Sequence, residues 1–276
     1  MPVFGSQCPD NKKRSSFIVE RLDKFISSMT EYTRSQIKKL ALKGKIQVNS
    51  EIVKDCSLKI DPESDRIYVC KREITFKEKV YILMNKPDGV VCATQDLRDK
   101  TVLDLLSDDV KRKDLFPAGR LDKDTRGMVL ITNDGELSHR ILSPKKHIPK
   151  YYLVRLKENF CEKYAKEFEQ GIIIDGGEKC LPAKVRGLEN CPDAAFLELF
   201  EGKFHQVKRM FAAVENHVES LVRIRMGNLS MPENLESGSY VELLHKDVEK
   251  LLKTQSFEEV YNEFDSIFSS YWINKL

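Results

Sequence analysis

Long apolar runs are missing from this sequence. No stretch of its 276 residues approaches the roughly 18 apolar residues that a membrane-spanning helix needs. The opening segment MPVFGSQCPDNKKRSSF has no apolar core of the signal-peptide kind, so a cytosolic protein is expected. Paired cysteines are missing as well. The seven cysteines are odd in number and scattered, with no Cys-x-x-Cys, which excludes a disulfide framework or a thiolate zinc site. The five histidines are isolated, without metal-ligand spacing. Strong polarity is not a feature either: at 41% hydrophobic residues the chain can bury a sizeable core.

The net charge of +3 conceals an uneven distribution. Residues 1–72 carry 15 Lys and Arg against 9 Asp and Glu, while the remainder carries 31 against 34. A positive field gathered in the first quarter suits a polyanionic partner.

That quarter reads as a small α/β unit. Phe17, Val19, Leu22, Phe25 and Ile26 recur at helical spacing, Thr33 caps a second helix RSQIKKLALKG, and Gly44 stops it. KIQVN, NSEIV and DRIYV follow as strands with a hairpin. On the second helix Ile37, Leu40 and Leu42 offer apolar contacts. Arg34, Lys38 and Lys39 share another face, with Lys43 and Lys45 bracketing the helix end. Such a cationic surface on a rigid element suits phosphates of a folded RNA.

Beyond it the pattern changes to many short strands: YILMN, GVVCA, MVLIT, YYLVRL, GIIID, AKVRGL, AFLELF, LVRIRM and SYVELL. Helices are expected at VLDLL, ELSHRIL, EKYAKEFEQ and QVKRMFAAVEN. The irregular alternation argues against a doubly wound sheet and for an α+β domain with a mostly antiparallel sheet. At the end, SFEEVYNEFDSIFSSYWI places Phe257, Val260, Tyr261, Phe264, Ile267, Phe268, Tyr271 and Trp272 on one stripe behind a Ser256/Glu259 capping box. The stripe would pack on the preceding domain or offer a partner surface.

Within PAGRLDKDTRGMVLITNDG, Asp134 is a turn residue before Gly135, and Asp124 beside Thr125 is a loop hydrogen-bonder. Asp122 enters a strand with Leu121 as its anchor. From the residues alone it reads first as a loop carboxylate, Lys208 as a solvated helix lysine and Tyr152 as a half-buried strand tyrosine. His205, at a helix start, reads first as a structural hydrogen-bonder, with a substrate contact as the alternative.

RLDKFISSMTEYTRSQIKKLALKGKIQVN resembles the S-four RNA-binding module of a ribosomal protein. GRLDKDTRGMVLITNDGELSHRILSP resembles the signature of the pseudouridine synthases, in the branch named after RsuA. LMNKPDGVVCAT, KYYLV and EGKFHQVKRMFAAVENHVESLVRIRMG extend the likeness in the same order, over residues 17 to about 245.

The resemblance implies isomerisation of a uridine to pseudouridine in RNA, without cofactor, metal or energy source. It implies Asp122 as the acting carboxylate, Lys208 as its cationic partner, and Tyr152 as the ring beneath the uracil. Arg120 would fill the gap left by an everted base or bind the flanking phosphate, and Asn85, Lys86 and Arg209 would add backbone contacts. In the small unit Arg21, Arg34, Lys38, Lys39, Lys43 and Lys45 would hold RNA. The expected organisation is a flexible 1–16, an S-four-like 17–72, a linker 73–78, a catalytic domain 79–250 and a C-terminal amphipathic helix 251–276. The expected partner is ribosomal RNA, small-subunit rRNA or an assembly intermediate, met by a monomer. A large-subunit rRNA enzyme and a non-catalytic ribosome-assembly protein are the alternatives.

Overall fold

A computed structural model describes residues 19–267. The expectation of a flexible 1–16, and the stripe positions Phe17, Phe268, Tyr271 and Trp272, lie outside the described residues. The chain divides into two compact units, Met1–Lys77 and Glu78–Leu276. No described helix is long and apolar enough to cross a membrane.

The small unit has two helices, Leu22–Met29 and Arg34–Leu42, and a four-stranded antiparallel sheet in the order 51–52, 46–48, 67–69, 72–74. Leu22, Phe25, Ile26, Ile37, Ala41, Ile46 and Ile67 form a closed apolar core. The first helix starts later than its apolar spacing suggests. Glu20 and Arg21 pair as a strand with Ile60 and Lys59, so Val19 stays exposed rather than joining the helical stripe. The second helix opens on a capping box between Thr33 and Gln36, and the Gly44 N–H donates to the Ala41 carbonyl at its end. Leu42, expected on the apolar face, is exposed. The segment 73–78 is not a linker from its start: Arg72–Ile74 is the last strand of the sheet, and Ile74 is buried.

The large unit is built on a nine-stranded sheet. Its main path runs 184–188, 191–199, 150–156, 218–226, 126–132, 81–86, 240–242. Strands 229–230 and 116–118 pair onto its sides. The pairs are antiparallel except 126–132 with 218–226, so the expected mostly antiparallel α+β sheet is what forms. That parallel contact needs a close approach: a Cβ on Gly127, at φ +101°, would stand 2.3 Å from the Arg223 carbonyl oxygen.

Both faces of the sheet are covered, which explains the near-continuous apolar runs. On one face Ile82, Val129, Ile131, Tyr152, Val154 and Leu197 meet Leu121 and the helix Gln206–Ala213 through Val207, Met210 and Phe211. On the other, Leu83, Leu130, Tyr151, Leu153 and Phe196 meet the helix Gly135–Leu142 and the helix Phe257–Ile267. Tyr151 and Tyr152 thus point to opposite faces. Of the tail expected as helix 251–276, the helix itself covers 257–267, with its Ser256/Glu259 capping box present. Phe257, Tyr261 and Phe264 pack around the Phe196 ring at centroid distances of 5.7, 5.7 and 5.1 Å.

Two expected elements are absent, and one forms that was not expected. VLDLL is a turn, in which the Asp104 carboxylate accepts from the Thr101 N–H and hydroxyl. GVVCA contributes only the bridge Val91–Thr101. The helix His245–Lys250 takes up part of the polar stretch after the last sheet strand.

Candidate active site

The loop carrying Asp122 runs from the strand Phe116–Ala118 to the strand Arg126–Thr132. Gly119 turns the chain at φ +91°, where a Cβ would meet the Leu142 side chain at 2.9 Å. Leu121 then drops into the core, with its N–H on the Cys92 sulfur. Thr125 closes a tight turn by donating its N–H to the Asp122 carbonyl at 3.1 Å.

The turn is held from below by Lys86. This side chain is fully buried, and its Nζ donates to the carbonyls of Pro87, Lys123 and Thr125 at 3.0, 2.9 and 2.7 Å. Burial pulls its ammonium pKa down, offset by the nearby acids. An amine taken out of water this completely is retained only because three carbonyls replace its hydration. Lys86, expected from the sequence to contact RNA, is instead the fastening of the Asp122 loop. Asn85 is likewise buried: its Nδ2 donates to the Leu235 carbonyl, and its backbone pairs with Gly238 and Ser239. In a sheet covered on both faces, a polar strand end has to satisfy itself internally.

Asp122 sits on a cleft of about 420 Å³ lined by Val91, Cys92, Asp96, Arg120, Lys123, Lys203, Phe204 and His205, among others. That volume lies within the roughly 300–1,000 Å³ of small-molecule clefts. The Asp122 side chain is 27% exposed, and His205 Nε2 lies 3.7 Å from its Oδ1. His205 adopts a left-handed conformation (φ 50°, ψ 33°) as it caps the helix Gln206–Ala213, which turns its ring toward the cleft. Phe204 stacks on that ring, centroids 3.8 Å apart and planes 18° from parallel.

Lys208 departs from the expected pairing. Its Nζ donates to both carboxylate oxygens of Asp124 at 2.6 Å, not to Asp122. The physical reason is reach: Asp124 stands outward at the end of the turn, 64% exposed, where a lysine within the first helical turn meets it. Lys208 beside it holds the Asp124 carboxyl below the usual carboxylate range. Asp124 is thus more than a local loop hydrogen-bonder.

Tyr152 belongs to the same apolar cluster as Leu121 and is 7% exposed. Arg120 is exposed on the cleft. Arg209 is engaged with Asp175, Glu178 and the Phe204 carbonyl, so it braces the loop before the helix rather than standing ready for phosphate. In the small unit Arg34, Lys38, Lys39, Lys43 and Lys45 are all exposed. Arg21 is bound in a two-pronged pair to buried Asp23, at 3.1 and 2.8 Å, and lowers that carboxyl's pKa.

His205, whose first sequence reading is structural, and Phe204, which the sequence does not single out, complete the cleft. Their signal was an aromatic pair directly before a helix start, which sequence alone assigns equally well to packing.

The family model described as RNA pseudouridylate synthase matches residues 80–213, and the S4 domain model matches residues 20–67. An uncharacterized RNA pseudouridine synthase of Bacillus subtilis (strain 168) is 40% identical over 238 residues, 86% of this chain and 100% of its own. The ribosomal small subunit pseudouridine synthase A of Haemophilus influenzae is 42% identical, covering 84% of this chain and 100% of its own. Its namesake from Escherichia coli (strain K12) is 39% identical, covering 83% and 98%. A crystal structure of a pseudouridylate synthase superposes with TM-score 0.59 at 41% identity, covering 84% of this chain and 99% of that one.

Proposed function

Since the chain belongs to the RNA pseudouridylate synthase family, we propose that it isomerises a specific uridine of small-subunit ribosomal RNA, with Asp122 as the acting carboxylate. The observation that carries this reading is the position of Asp122. It stands half-buried on a nucleoside-sized cleft, on a turn immobilised by Lys86.

The reaction breaks the bond from uracil N1 to the sugar, turns the base, and joins carbon five to the same sugar carbon. Carbon five loses a proton and N1 gains one, so nothing is oxidised and no group leaves. A carboxylate serves this chemistry by attacking the nucleotide or by stabilising positive charge at the sugar, as paired carboxylates do in glycoside hydrolysis. The fixed geometry matters because a carboxylate that must be brought into place loses the advantage of proximity.

Uridine in folded RNA is stacked, so it must turn out of the helix, at a cost of a few kcal/mol. Arg120, exposed beside Asp122, is suited to the vacated space or the flanking phosphate. Tyr152, on the sheet face that also holds Leu121, would lie beneath the entering uracil and take part in removing the carbon-five proton. Lys208, bound to Asp124 two residues from Asp122, supplies positive charge beside the site, while His205 is the basic group nearest Asp122. The exposed basic helix of the small unit holds the surrounding RNA by its phosphates.

The relatives named ribosomal small subunit pseudouridine synthase A support the choice of rRNA class. The protein works as a cytoplasmic monomer on free rRNA or an assembly intermediate, where the target base is reachable. The test is to map pseudouridine in rRNA from cells with and without this gene. Loss of one small-subunit site is expected. Loss of a large-subunit site would move the substrate, and an unchanged map from a protein that binds rRNA would make it a binding module.

A further inference from the structure

Phe204 stands on the lip of the Asp122 cleft with 76% of its surface exposed. A single exposed apolar side chain is ordinary on a protein surface; Phe204 differs in lining the cleft that holds Asp122 and in the fixing of the loop that carries it. The Lys203 N–H donates to the Gln206 side chain at 2.8 Å, and Gln206 in turn donates to buried Glu201 at 2.8 Å. Arg209 donates to the Phe204 carbonyl at 3.1 Å, and the near-parallel His205 ring backs one face of the phenyl group. The ring is therefore a preset platform.

We propose that Phe204 is the stacking platform for the nucleobase next to the everted uridine, in a single-stranded stretch of the RNA. This rests on the reading of the cleft as the pseudouridine-forming site. Size selects the occupant. A protein partner needs an apolar patch of several hundred Å², whereas the cleft's apolar lining beside Phe204 is limited to Val91, Cys92, Ala93 and Leu121, and Asp96, Arg120, Asp122, Lys123, Lys203 and His205 make the rest of it polar. One exposed ring on a cleft that Arg120 also lines matches one base and its phosphate. The target uracil itself goes elsewhere, since it must reach the half-buried Asp122 carboxylate while Phe204 lies at the mouth.

Binding is measured by anisotropy with two labelled probes, a nonauridylate and a ribose-phosphate oligomer of equal length lacking bases. Activity is measured by tritium release from a small-subunit rRNA transcript made with [5-³H]uridine. Phe204→Ala should shrink the preference for the base-bearing oligomer at least about fivefold and raise KM by a similar factor, with kcat held within about twofold. Phe204→Trp should retain both, and its added emission should be quenched by nonauridylate, readable over a chain with a single native tryptophan. Phe204→Leu should resemble the alanine variant.

An unchanged oligomer preference in Phe204→Ala, a leucine variant equal to wild type, or an unquenched tryptophan overturns the platform. A fall confined to kcat overturns it also, because that would mean Phe204 acts only by positioning His205. If wild type makes no pseudouridine, the reading of the cleft fails, while the oligomer comparison still decides on Phe204.

Discussion

Lys208 Nζ lies 2.6 Å from both carboxylate oxygens of Asp124, while the basic group facing Asp122 is His205, 3.7 Å away. Two carboxylates of one turn are thus divided between two basic side chains at one helix start. Asp122→Asn should abolish product and leave RNA binding within about twofold. Asp124→Asn, which frees Lys208, should keep at least about a tenth of the activity. Tritium release and filter binding on the same transcript check both, and an inactive Asp124→Asn beside an active Asp122→Asn would exchange their roles.

Lys86→Met removes a charged donor from three carbonyls and should cost about 2–4 kcal/mol of stability. Because the Asp122 turn hangs on those bonds, kcat should fall by at least about tenfold. Thermal unfolding and steady-state kinetics give these values. RNA affinity and its salt dependence should not move. A flatter salt slope would restore Lys86 as a phosphate contact.

The exposed row Arg34, Lys38 and Lys39 should act only through the RNA backbone. The triple alanine variant should fold as stably as wild type, since none of the three contributes to the apolar core. The slope of log affinity against log salt should decrease by about two to three, one counterion term per lost contact. Titrations between low and moderate salt would show an unaltered slope if RNA lies elsewhere.

Lys150 is buried with its amine on the carbonyls of Ile141 and Ile148, and burial, with Arg223 nearby, lowers its pKa to about 8. The unfolded chain keeps the ordinary value of about 10.4. Between these limits the unfolded state binds more protons, so this residue's contribution makes stability rise with pH from about 8 to 10.5, by up to about 3 kcal/mol. Below pH 8 the full penalty of the buried charge is present. Denaturant unfolding at several pH values should show that rise in wild type relative to Lys150→Met. Parallel curves for the two proteins would contradict the depressed pKa.

Local chemistry made much of the fold readable. Thr33 and Gln36, and Ser256 and Glu259, are capping boxes whose partners lie three residues apart. The strands 81–86, 126–132 and 150–156 are runs of apolar and β-branched residues. Where reading failed, a distant partner had won over local pattern. Leu22 begins its helix late because Glu20 and Arg21 are claimed by a strand forty residues on. VLDLL is the exception, a turn for a local reason that its apolar spacing hides: Asp104 folds back on Thr101.

The same division runs through the site. The sequence by itself determined that Asp122 follows a buried leucine anchor in a turn, that Tyr151 and Tyr152 face opposite ways, and that a basic helix stands in the first quarter. These follow from periodicity and neighbours along the chain. Only the tertiary structure decided that Lys86 fastens the turn from within, that Asn85 is spent on Leu235, and that Lys208 meets Asp124 while His205 meets Asp122. A cation's role depends on which acceptors surround it and on how much water remains. Both are set by segments up to 150 residues apart that meet only when the sheet closes.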